Sequence, residues 1–358
     1  MIPKRAKQAV GQRLLEAFRA AGAEEVAPDI LLPAGSLLDL YGEDIRARAY
    51  VTADPIRGEM MLRPDFTVPV VEAHMTNGAE PARYCYLGEV FRKQDMGDQR
   101  PATLRDNEYL QAGFELFSRD PAADAEVFAL FHRLLAPHRL RAEIGDMGLV
   151  LDAVRGLPLP EARREALLHH VWRPGRFRRM LARFSTPSVP RHFPEADAPW
   201  AGMRSEAEMI RRIARLNADA AVAPLPAIWT ERLERLFRLR GPAPEVQAQL
   251  AELAEDMPAI AGAVARIGAQ MAAIAGHGID PEAVIFDASH GRTTLEYYDG
   301  FTFSFHVGNF HASREGWPPI ASGGRYDALT RVLGKGREIP AVGGIIRPGL
   351  LAELEGAA

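Results

Sequence analysis

Gln111-Ala112-Gly113-Phe114-Glu115 is the stretch from which the rest of the chain can be read. Side chains alternate between faces along a strand. Gln111, Gly113 and Glu115 therefore share one face, and Leu110, Ala112, Phe114 and Leu116 share the other. The second face is apolar and belongs against a core. The first carries an amide and a carboxylate separated by a glycine, a spacing that leaves room for a small ligand close to the backbone. Glu115 can accept from an imidazole or amine, and Gln111 can both donate and accept. Such a face suits an amino acid. The same pattern also describes the solvent side of an edge hairpin, and this strand alone leaves both readings open.

Working outward, Arg83 to Arg92 and Glu108 to Phe117 read as two strands joined by a polar loop with Asp95, Gly97, Asp98 and Pro101, which makes a long antiparallel hairpin. Arg92 faces the same way as Tyr84, Tyr86 and Val90. Its guanidinium can grip a carboxylate through two parallel hydrogen bonds, or serve in an ordinary ion pair. Asp65 and Thr67, in Leu62-Arg63-Pro64-Asp65-Phe66-Thr67, point alike if the segment is extended; turn chemistry is the alternative. Met60 to Arg63 reads as a further strand.

Val10, Leu14, Leu15 and Phe18 lie at helical spacing between Gln8 and Ala21, with Gly22 as the closing residue. The pattern turns helical from about Asp152 to Gly276, with proline-containing breaks at Thr186 to Pro199 and Pro224 to Pro226. Strand patterns return at Ala283 to Asp287, Thr293 to Tyr298 and Phe301 to Val307, where Asp299-Gly300 is a two-residue hairpin signal. The expected class is α+β, with residues 1–151 and 277–358 forming a core and 152–276 a helical insertion.

Composition narrows the function. A chain of 358 residues with 47% hydrophobic content can bury a large core, and a net charge of −4 does not describe a surface built to neutralise phosphates. Cys85 is the only cysteine, so an intrachain disulfide and a multi-cysteine zinc site are both excluded. His132, His138 and His169-His170 have no metal-ligand spacing, and no metal or cofactor is expected. No secretory signal and no run of about 18 apolar residues is evident, which points to a cytoplasmic protein with neither membrane nor nucleic acid as a partner. Arg173, Arg176, Arg178, Arg179 and Arg183 read as a solvated helix face, with an acidic partner as the alternative.

Six segments together give the chain a family likeness. They are Leu62 to Thr67, Gly88-Glu89-Val90-Phe91-Arg92, Gln111 to Glu115, Gly145-Asp146-Met147-Gly148-Leu149, Leu295-Glu296-Tyr297-Tyr298 and Gly323-Gly324-Arg325-Tyr326-Asp327. In order and spacing the chain resembles the histidyl-tRNA synthetase family over about Gln8 to Leu351. The resemblance implies a class II aminoacyl-tRNA synthetase-like antiparallel sheet flanked by helices. It further implies that Asp65, Thr67 and Gln111 hold the α-amino group of histidine, Arg92 its carboxylate, and Glu115 with Tyr298 its imidazole. Tyr297 helps to shape the pocket, although neighbouring strand residues face opposite ways.

The likeness breaks where a synthetase must handle triphosphate. Thr293 stands where the family has the arginine of Arg-Gly-Leu-Asp-Tyr-Tyr, and Gly349-Leu350 where it has Glu-Arg. Arg292 and Arg347 are displaced in register. Gln94 replaces the usual acid, Glu72 lies at a position that is often basic, and the chain ends without an anticodon-reading domain. These departures resemble the regulatory subunit of ATP phosphoribosyltransferase, a non-catalytic synthetase relative. The resemblance implies activation of a short catalytic subunit in the first step of histidine biosynthesis, responsiveness to histidine, and a homodimer within a hetero-oligomer. A histidyl-tRNA synthetase with unusual motifs, a stand-alone histidine sensor and a pocket kept only as inherited architecture are the other readings.

Overall fold

The computed structural model describes residues 2–41, 45–93, 106–191, 202–292, 298–308 and 316–356. The loop residues Asp95 to Pro101, the departures at Gln94 and Thr293, and Tyr297 as a site residue lie outside the described residues.

The alternating segments assemble into a nine-stranded sheet. In spatial order its strands are Glu24–Glu25, Ala82–Phe91, Glu108–Phe117, Ala341–Ile346, Ala321–Arg325, Phe301–His306, Arg141–Asp146, Ile285–Asp287 and Arg240–Pro242. The expected hairpin pairs from Ala82 opposite Phe117 to Phe91 opposite Glu108, and antiparallel pairing continues through the centre to Arg141–Asp146. Toward both edges the sheet departs from the antiparallel expectation: Glu24–Glu25 runs parallel to Tyr84–Cys85, and Glu143–Ile144 parallel to Ile285–Phe286. The strand expected at Met60 to Arg63 is Gly58–Leu62. It belongs to a separate three-stranded sheet with Leu31–Pro33 and Val51–Asp54.

Phe301-Thr302-Phe303-Ser304-Phe305-His306 shows how the two faces are divided. Its three phenylalanines point to one side and pack on Phe128 and Phe131 of the helix Ala123–Leu135, with ring centroids 5.3 to 6.1 Å apart. The helices Lys4–Ala20 and Pro348–Glu355 complete that layer through Phe18, Leu350 and Leu351. On the other side, Phe66, Tyr86, Tyr298 and Tyr326 join the helices Thr67–Asn77 and Asp327–Leu333 in a second apolar cluster. Both faces of the central sheet are therefore covered. This removes the reading of Gln111 and Glu115 as a solvent-facing edge.

The opening helix buries Val10, Leu14, Leu15 and Phe18 and ends in a Schellman turn. The Gly22 N–H donates to Arg19 O at 2.9 Å and the Ala23 N–H to Phe18 O at 3.2 Å, with Gly22 at φ +86°. A side chain in that left-handed conformation costs about 1–2 kcal/mol. Gly22→Ala is expected to lower stability by that amount, read as a lower urea midpoint at unchanged slope.

The described residues between Met147 and Gly276 are mostly helical, but Arg240–Pro242 supplies the last strand of the large sheet, so the expected helical stretch is not purely helical. The stretch Pro258–Gly276 is long and apolar enough to cross a membrane by length and composition alone, although Arg266 and Gln270 interrupt its apolar residues. Ala263, Ile267, Met271 and Ile274 of this stretch are buried at helical spacing, and Arg266 lies 3.5 Å from Asp152. Packing against the core accounts for its apolar composition.

Candidate functional site

Glu115 is 1% exposed and accepts hydrogen bonds from three hydroxyl groups. Thr67 Oγ1 and Tyr86 Oη reach Oε1 at 2.9 and 3.0 Å, and Tyr326 Oη reaches Oε2 at 2.6 Å. The donors come from three separate elements. Thr67 opens the helix Thr67–Asn77, Tyr86 sits opposite Gly113 in the hairpin, and Tyr326 follows the strand Ala321–Arg325. Arg325 fixes that last turn, with Nη2 2.8 Å from Asp124 and Nη1 3.2 Å from Asp327.

Glycines make this arrangement possible. Glu115, Gly343, Gly324 and Thr302 are successive partners across four strands. A Cβ on Gly343 would overlap Glu115 Oε2, and one on Gly324 would stand 2.8 Å from Tyr298 Cδ1. The bare backbone therefore clears space for the carboxylate and for the buried Tyr298 ring. Gly113 corrects the sequence reading: the room above it is filled by the Tyr86 ring, which a Cβ there would overlap, and not left for a ligand.

Burial pushes Glu115 up to about 7, and hydrogen bonds from Tyr326, Thr67 and Tyr86 only partly oppose this, while nearby Asp65 adds to the rise. Burial and the neighbouring Glu115 likewise push the Tyr86 and Tyr326 phenols well above their ordinary range. The carboxylate is thus held in place by neutral donors and costs energy to ionise.

Gln111 is also 1% exposed, and its Oε1 has no hydrogen-bond partner among the described residues. Asp65 is buried, and its Oδ1 accepts the Val68 N–H at 3.2 Å, so the segment turns into a helix rather than running extended. Asp65 performs the turn chemistry and still lies close enough to Glu115 to raise it. Thr67 gives its hydroxyl to Glu115 instead of standing beside Asp65. Arg92 Nε donates to Pro64 O at 2.7 Å, and its guanidinium carbon lies 5.9 Å from the centre of the Tyr109 ring. Arg347 approaches the same ring at 5.4 Å. Arg63, buried, donates Nε to Glu89 O at 2.8 Å and covers the Phe66 ring at 3.9 Å.

The structure therefore gathers Asp65, Thr67, Glu115 and Tyr298 on one side of the sheet, with Gln111 on the same strand face as Glu115. Tyr86 and Tyr326 are contributors that the residue-by-residue reading did not assign. The signal was available for Tyr86, which shares strand parity with Arg92. For Tyr326 nothing short of the fold reveals a contact across 211 residues.

Leu350, at the position expected to be cationic, is buried in the helix-side core. Arg292 turns away as well. Its Nε donates to Val171 O at 3.2 Å, its guanidinium lies 4.0 Å from Phe237 and 5.0 Å from Phe177, and burial brings it down to about 10. Of the two displaced arginines, only Arg347 stays beside the hairpin.

A family model described as histidyl-tRNA synthetase matches residues 2–187 and 201–348. The ATP phosphoribosyltransferase regulatory subunit of Agrobacterium fabrum is 32% identical over 365 residues, covering 92% of each chain. The protein of that name from Brucella anthropi is 32% identical over 357 residues, covering 90% of each. Among solved structures, an ATP phosphoribosyltransferase regulatory subunit/histidyl-tRNA synthetase from Bacillus halodurans aligns with a TM-score of 0.71 at 22% identity, over 99% of this chain and 80% of that one. A histidyl-tRNA synthetase from Nostoc aligns with a TM-score of 0.66 at 16% identity, over 99% and 72%. These two likenesses establish the class II synthetase fold. With its sheet, its six motifs and relatives matched almost end to end, the chain belongs to the histidyl-tRNA synthetase family and, within it, to the ATP phosphoribosyltransferase regulatory subunits.

Proposed function

We propose that the chain regulates an ATP phosphoribosyltransferase at the first step of histidine biosynthesis, by binding a short catalytic subunit and histidine, and that it forms no histidyl-adenylate. The names of its curated relatives support the regulatory role. The observation that carries the ligand is the pairing of a buried acid, whose three donors are all hydroxyls, with the open acceptor of Gln111. Both groups complete themselves with a small molecule bearing N–H donors. Leu350 supports the loss of adenylation, since an apolar side chain in the core cannot stabilise a triphosphate.

In this reading Glu115 and Tyr298 meet the imidazole, Asp65 and Gln111 the ammonium, and Arg92 the carboxylate. Thr67 shifts role, from ammonium ligand to the group that orients Glu115. We assign residues 1–151 and 277–358 to ligand binding and 152–276 to partner contact, with the chain as a homodimer in the hetero-oligomer.

Titration calorimetry on the purified chain is expected to give one histidine per chain. Gln111→Leu is expected to weaken it about tenfold, the size of one lost hydrogen bond to a charged group. Histidine-dependent exchange of pyrophosphate into ATP is expected to be absent. Exchange would replace this reading with a synthetase; no heat with histidine would leave the pocket as inherited architecture.

A further inference from the structure

We infer that the helix Glu206–Ala220 and the arginines around it form a docking surface for an acidic protein partner, which under the proposed function is the catalytic subunit. The helix is built to be stable in place. Ser205 and Glu208 form a reciprocal capping box. Asn217 exchanges hydrogen bonds with the Arg191 backbone at 2.8 and 3.1 Å, and Asp219 accepts from buried Arg163 at 2.7 Å. Yet none of its fifteen residues is buried.

Helices of this length draw most of their stability from burying an apolar face. Here Met209, Ile213 and Leu216 are only half-buried, Ile210 is 60% exposed, and nearby in sequence Val189 and Met203 are exposed as well. Val189 and Leu216 line a groove of about 300 Å³ together with Arg183 and Arg191.

Charge selects the partner. The whole chain has more acidic than basic residues, 47 against 43, but between Arg173 and Arg215 ten arginines face only four acids. Arg211, Arg212 and Arg215 are all exposed on the helix itself. Exposed arginines in the same stretch as exposed isoleucine, valine and methionine match the composition of a protein interface, and they call for acidic side chains flanking an apolar patch. Nucleic-acid phosphates would pair with the arginines and give the apolar residues nothing to bury against. An anionic bilayer would meet Glu206 and Glu208, both exposed at the start of the helix.

The test compares the full chain with two variants, Ile210→Asp alone and Arg211→Glu/Arg212→Glu/Arg215→Glu. Because these positions are exposed, both variants are expected to keep the unfolding midpoint and the histidine titration of the unaltered chain. Association with the short catalytic subunit, measured by sedimentation, is expected to weaken about tenfold for the first and at least about 100-fold for the second. Association that survives both variants overturns the surface while leaving the functional reading intact. Failure of the unaltered chain to associate overturns the partner together with that reading. Variant-sensitive binding to an RNA hairpin or to phosphatidylserine vesicles, with the catalytic subunit still bound normally, also overturns it.

Discussion

Gly343→Ala is expected to abolish histidine binding, and its neighbour Gly344→Ala is expected not to. The two glycines are adjacent on one strand and therefore face opposite sides of the sheet. A Cβ on Gly343 would overlap the Glu115 carboxylate and stand 2.8 Å from Phe114 O. Glu115 cannot swing aside without breaking hydrogen bonds to Thr67, Tyr86 and Tyr326. A Cβ on Gly344 would instead stand 2.8 Å from Phe303 and 3.0 Å from Phe131, on the helix side. Overpacking of either kind costs about 1–3 kcal/mol of stability. The affinities should separate, with at least about a 100-fold loss for Gly343→Ala and little change for Gly344→Ala. Equal losses of histidine binding in calorimetry would show that Glu115 is not where the ligand is held.

Glu115→Gln is expected to remove histidine binding and to change how stability varies with pH. In the folded chain Glu115 is raised to about 7 from an ordinary 4.5. Between those values the folded state holds a proton that the unfolded state has released, so stability falls as pH rises through this window. The group's contribution is most favourable below about pH 4.5, and the full cost of ionising it in place, on the order of 3 kcal/mol, is reached above about pH 7. Glutamine keeps the shape and has nothing to ionise. The stability of the variant relative to the unaltered chain should therefore increase steadily when urea unfolding is repeated from pH 5 to 7.5. A difference independent of pH would mean that Glu115 titrates normally.

How much of this could be read beforehand depended on the range of the interaction. Alternation along Glu108 to Phe117 gave the strand, its bounds and the face bearing Gln111 and Glu115, because period-two patterning is a local property. The opening helix and its terminal glycine were legible for the same reason. The strand Arg240–Pro242 was not, since three residues between two helices carry no period; pairing with Ile285–Asp287 alone makes them a strand. Within the candidate site, residue chemistry singled out Glu115 and Gln111, and the fold buries both. That chemistry misjudged Gly113, because a missing side chain makes room without saying for what, and only the register that sets Tyr86 opposite reveals the occupant. For Thr67, nothing local announces that its hydroxyl donates to a carboxylate 48 residues away.

Under the proposed function, a ligand pocket around Glu115 and control of a separate enzyme are two sites linked by a coupling free energy. The most direct test is the phosphoribosyl transfer rate of the short catalytic subunit, measured alone, with this chain and with its Glu115→Gln variant, each with and without histidine. Both chains are expected to raise the rate, and histidine is expected to lower it only with the unaltered chain. A rate indifferent to the chain, or an identical histidine response with the variant, would contradict the proposed function.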